Sequence, residues 1–100
     1  MVHVGCVLYT KGGEPGSLDA RWCEVPPRIG TGKATGGPAE GYAGHYSVTY
    51  FDERGREDWV GEVVVEDKGD HYQLAWLRDG EVTGSGVGME TPEGLAAGYL

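Results

Sequence analysis

The feature that most constrains this chain is its alternation. Eight short segments place apolar or small residues at every second position: 2–10, 17–25, 29–36, 44–51, 59–67, 71–78, 81–89 and 94–100. Period two is the signature of a strand with one buried face. No stretch carries a helical stripe; the best helical candidate, 93–100 (EGLAAGYL), is short and broken by glycine. The segments are separated by turn chemistry. Lys68-Gly69 and Asp79-Gly80 read as two-residue hairpin turns, Asp52–Gly55 and Thr91–Gly94 as longer ones,. KGGEPG at 11–16, Val25-Pro26-Pro27-Arg28 and Gly36-Gly37-Pro38 are loops that proline bars from a central strand,.

The chain reads as a tandem repeat. Placing Trp22 on Trp76 brings Gly30 onto Gly84, Gly32 onto Gly86, Pro38 onto Pro92, Ala43 onto Ala97 and Gly44 onto Gly98 without a gap. Before the tryptophans, Val4 falls on Val60, Gly5 on Gly61, Val7 on Val63 and Gly13 on Gly69. The length difference falls in the 11–16 loop, where insertions are tolerated. With 19 glycines some matches come free, but the Trp and Pro matches do not. Each half, about 1–46 and 57–100, is then a four-stranded meander with two open edges. Two such units joined edge to edge close and lose their edges. The expected fold is one all-β domain over 1–100, an eight-stranded antiparallel up-and-down barrel; a sandwich or half-open barrel is the alternative.

Parity selects the inner face. Tyr72, Leu74 and Trp76 share one side of the sixth segment, and a Lys68-Gly69 turn would set Val65 opposite Tyr72, Val63 opposite Leu74 and Gly61 opposite Trp76. Leu18, Ala20 and Trp22, with Gly5, Val7 and Tyr9, follow inward, as do Tyr46, Val48 and Tyr50. For 81–89 two readings stand: a strict two-residue turn at Asp79-Gly80 sends Thr83, Ser85 and Val87 inward, whereas a one-residue bulge sends in Gly84, Gly86 and Gly88. The second is preferred because the glycine spacing recurs in the third segment. A barrel of this size is filled by its side chains or holds one small ligand. The candidate ligand-binding residues are therefore Trp22, Trp76, Tyr9, Tyr46, Tyr50 and Tyr72. The rings supply apolar walls and the tyrosine hydroxyls orientation.

Other chemistries find little support. The net charge of −8 lacks the basic footprint that nucleic acids or anionic membranes require,. Gly30-Thr31-Gly32-Lys33 lacks the Ser/Thr and the helix of a phosphate loop. His3, His45 and His71 are scattered, so no metal site and no cofactor are expected. Cys6 and Cys23 lie opposite each other if the first hairpin is centred between Glu14 and Pro15. They are read as reduced thiols, with a disulfide sterically conceivable. Glu24 and Arg78 hold equivalent repeat positions and are candidates for a polar gate at one rim. No signal sequence or apolar span is seen, so a cytoplasmic location is expected.

The meander with inward Tyr and Trp resembles the calycin group of lipocalins, fatty-acid-binding proteins and avidins. The resemblance is one of architecture: the lipocalin Gly-x-Trp motif is replaced here by Gly5-Cys6-Val7. No site residue carries over from these families; binding of a small apolar or aromatic molecule inside the barrel is expected from the aromatic and glycine inner face itself. Two alternatives are a metal-free cyclase or isomerase that shapes a flexible substrate, as in small β-barrel cyclases, and a ligand-free module that forms a homodimer. Phe51, Leu77 and Leu8 are the outward residues to inspect for the last.

Overall fold

In the computed structural model, which describes residues 4–25 and 27–100, eight strands follow one another with no helix among the described residues. They are β1 (Val4–Lys11), β2 (Leu18–Val25), β3 (Arg28–Thr35), β4 (Gly44–Asp52), β5 (Glu57–Asp67), β6 (Tyr72–Arg78), β7 (Glu81–Glu90) and β8 (Leu95–Tyr99). Each pairs antiparallel with the next, and β8 returns to pair with β1 through Val7↔Ala97, so the sheet is a closed up-and-down barrel. Closure leaves no unpaired edge. Segment 94–100, the weakest strand by pattern, forms that seam rather than a helix.

The hairpins show how local chemistry fixes register. Asp79 and Gly80 both take positive φ (52° and 80°), as the primed two-residue turn requires, and Arg78 pairs with Glu81,. A bulge follows between Trp76 and Leu77, so Gly84, Gly86 and Gly88 oppose the inward Trp76, Leu74 and Tyr72. The β5–β6 turn departs from expectation. Lys68 N–H donates to the His71 carbonyl, so the turn is centred on Gly69-Asp70. Val65 opposes Leu74, Val63 opposes Trp76 and Asp67 opposes Tyr72. The shift is two residues, which preserves which face points inward but separates Trp76 from Gly61.

The interior is divided between two ends. The loops 12–17, 36–43, 68–71 and 91–94 gather at one end, and this end is filled. Leu18, Ala34, Tyr46, Val65 and Leu95 are buried there, and Tyr42 from the 36–43 loop joins them. The Tyr46 hydroxyl donates to the Tyr42 carbonyl (2.9 Å), and the Lys11 ammonium sits over the Tyr42 ring. The middle of the barrel is packed by Val7, Tyr9, Ala20, Val48, Val63 and Leu74. Among the described residues, the end that carries the β2–β3, β4–β5 and β6–β7 turns is the open one.

Candidate functional site

The open end is a cup of about 360 Å³, floored by Val7 and walled by Trp22, Trp59, Trp76, Tyr50 and Tyr99. All three tryptophans of the chain meet here from β2, β5 and β6. The volume is near the lower end of the roughly 300–1,000 Å³ range of small-molecule pockets. The rings fit because glycines face them. Trp22 opposes Gly30 on β3, where a Cβ would overlap both the indole and the Phe51 carbonyl. Tyr99 opposes Gly5 on β1 in the same way. Glycine lets these two rings approach the opposing backbone closely, while Trp76 packs on Tyr99 (centroids 5.2 Å) and Tyr50 on Trp59 (6.0 Å) around the cup.

The polar atoms of the cup form two hydrogen-bonded groups. Below, the Trp76 Nε1–H donates to the Tyr50 hydroxyl (2.7 Å), which also bonds the fully buried Tyr9 hydroxyl. Trp22 Nε1–H donates to the Thr31 carbonyl (2.9 Å). Above, the Tyr99 hydroxyl donates to Glu24 Oε2 (2.9 Å). The Arg28 guanidinium lies 3.6 Å from Glu24 Oε1, bonds Asp58 on β5, and stacks 5.3 Å over the Trp22 ring. Arg78 lies 5.6 Å over the Trp59 ring. One arginine thus bridges two carboxylates across the rim and shields part of the aromatic wall.

Burial sets the protonation of this site. It pushes Tyr50 up to about 12 and Tyr9 well above the ordinary phenol value,. Tyr99 is raised by burial first and by its bond to the Glu24 carboxylate second. At neutral pH these hydroxyls are donors, not anions. Among the described residues no group of three or more His, Cys, Asp or Glu side chains is placed to hold a metal ion. His3 lies outside the described residues, His45 pairs with Glu62 (2.8 Å), and His71 with Asp70 (2.7 Å).

Of the six aromatics singled out by sequence, Trp22, Trp76 and Tyr50 wall the cup, and Tyr9 lies beneath it. Tyr46 is in the filled end, and Tyr72 is at that end's rim, donating to Glu90 (2.7 Å). The structure therefore separates these two from the other four. Sequence reasoning missed Trp59, Tyr99, Arg28 and Asp58. Inward parity of Val63 with Trp59, and of Ala97 with Tyr99, was the available signal for the rings. Glu24 and Arg78 do share the rim, but Glu24 engages Tyr99 and Arg28, while Arg78 covers Trp59. Leu8, Phe51 and Leu77 are half-buried on β1, β4 and β6, with no common strand between all three.

Site and fold together define a closed eight-stranded antiparallel β-barrel with one packed end and one aromatic cup. This is the barrel form that the likeness to calycins leads one to expect. No family model, curated protein or solved structure matches the chain. No helix among the described residues is long and apolar enough to cross a membrane.

Proposed function

We propose that the protein binds one small, flat, apolar or aromatic molecule in the cup at the open end of the barrel. The observation that carries this reading is the convergence of Trp22, Trp59 and Trp76 on a single cavity while the rest of the interior is packed. Trp22 and Trp76 are also buried as part of the core, so it is the uncovered ring faces and the half-buried Trp59 that offer the surface to a ligand. The ligand stacks on the indoles, and the Glu24–Arg28–Asp58 bridge at the rim orients any polar substituent. Titration with an uncharged, environment-sensitive aromatic dye, read by energy transfer from tryptophan, tests the reading. Saturable one-to-one binding is expected, and it should be lost in a variant that fills the cup, Gly84→Phe, and weakened in Trp59→Ala. Dye binding that survives both substitutions in a folded barrel overturns it.

A second reading, turnover of such a molecule by isomerisation or cyclisation, draws on the Tyr99–Glu24 pair. Burial and the bond to Glu24 keep the Tyr99 phenol protonated, so its role in such a reaction is to polarise a substrate oxygen by hydrogen bonding, not to give up its proton,. In that case Tyr99→Phe should abolish turnover while retaining binding.

A further inference from the structure

We propose that Cys6 and Cys23 are a reversible dithiol site on the outside of the barrel, closing to an intramolecular disulfide by exchange with a low-molecular-weight disulfide. The two are direct register partners on β1 and β2, both exposed, with their sulfurs 3.3 Å apart. Directly opposed residues of an antiparallel pair have Cα atoms about 4.5 or 5.5 Å apart. Both values lie in the roughly 4.4–6.8 Å range that a disulfide spans. Closure therefore needs side-chain rotation and no backbone displacement. The neighbouring pair on the same face of the sheet is Leu8↔Arg21.

The exchange balances in two steps. One cysteine thiolate attacks the external disulfide, giving a mixed disulfide and releasing one small thiol. The other cysteine, as thiolate, attacks the protein sulfur of that mixed disulfide and expels the second small thiol. Two protein thiols are oxidised to one disulfide, and the external disulfide is reduced to two thiols. The Cys6 thiol is held above its ordinary value chiefly by its hydrogen bond to Cys23. That restraint ends when Cys23 carries the mixed disulfide, so the second step is released by the first. A sulfur already within van der Waals distance outcompetes a second external molecule.

The link would sit behind the wall of the cup. Cys23 is flanked by Trp22 and Glu24, and Cys6 follows Gly5, on which Tyr99 rests. The proposal does not depend on what the cup binds.

The test is incubation of the reduced chain with oxidised glutathione, followed by alkylation and intact mass measurement. The expected product is a monomer lighter by two hydrogens, with no alkylatable thiol, formed at a rate independent of protein concentration and reversed by dithiothreitol. Cys6→Ser and Cys23→Ser should each stop as a stable glutathione adduct with an unchanged circular dichroism spectrum. A wild-type chain that keeps both thiols, accumulates the adduct, or forms disulfide-linked dimers overturns the proposal.

Discussion

The Trp76 indole N–H of β6 donates to the Tyr50 hydroxyl of β4 at 2.7 Å, passing in front of β5, the strand that lies between them in the sheet. The bond crosses the barrel interior instead of running along the wall, and the Tyr9 hydroxyl of β1 joins it from a third direction. One phenol oxygen thus ties together strands that share no backbone ladder.

Tyr50→Phe removes the common partner, taking from the fully buried Tyr9 hydroxyl its bond to Tyr50, whereas Trp76 lines the open cup. Stranding buried polar groups costs about 1–3 kcal/mol each, more than the bond itself contributes. We expect a loss of about 1–3 kcal/mol in urea unfolding, set by the buried Tyr9 hydroxyl,, with the barrel still formed. Tyr72→Phe, whose hydroxyl reaches only the exposed Glu90, should cost under about 1 kcal/mol. Equal losses for the two variants would contradict this account of the network.

Gly30 is required by Trp22. Any Cβ there overlaps the indole and the Phe51 carbonyl. Backbone cannot yield as a side-chain tip can, so Gly30→Ala should cost at least the roughly 1–3 kcal/mol of an overpacked site. It should also change tryptophan emission as the ring is displaced. Gly13→Ala, where a Cβ meets nothing within 4 Å, is the matched control and should change neither quantity. Normal stability for Gly30→Ala would mean that the ring does not rest there.

Alkaline stability has a defined window. Tyr50 titrates at about 12 in the folded chain against 10.0 when unperturbed, and burial is the largest cause. Tyr9 is raised well above 10.0 for the same first reason. A raised folded value means that the unfolded chain gives up its proton first. The stabilisation is therefore complete below about pH 10 and falls as pH rises towards 12. Circular dichroism and tyrosinate absorbance followed together should show buried phenols ionising only as the barrel unfolds. Ionisation of every tyrosine near the ordinary value in an intact barrel would refute the buried network.

Much of this fold was legible because alternation and turn chemistry are local. Asp79-Gly80 announced its own geometry, and the Glu14/Pro15 centre placed Cys6 opposite Cys23. The Lys68-Gly69 hairpin was misjudged by two residues because Gly69 is equally competent in the wider turn that the Lys68–His71 bond closes. The end of the barrel to which each ring belongs was also readable. In a meander, the starts of even strands lie at one end and their finishes at the other. Tyr46 and Tyr72 begin β4 and β6, whereas Trp22, Tyr50 and Trp76 come late in theirs. Arg28 and Asp58 were not readable. They are 30 residues apart on strands that do not pair, and charges at strand ends ordinarily face water.

Arg28 supplies the last expectation. Its side chain is 44% exposed, and its carboxylate partners Glu24 and Asp58 are 19% and 31% exposed. Rim pairs of this kind contribute roughly 0–1 kcal/mol, so Arg28→Ala should leave unfolding nearly unchanged. Its effect should appear in access. The guanidinium covers the Trp22 ring, and its removal opens the aromatic wall while freeing two negative charges at the rim. Quenching of tryptophan fluorescence by neutral acrylamide should rise, whereas quenching by iodide should rise less, because the unpaired carboxylates repel the anion. Identical quenching of variant and parent by both agents would show that Arg28 does not cover the cup.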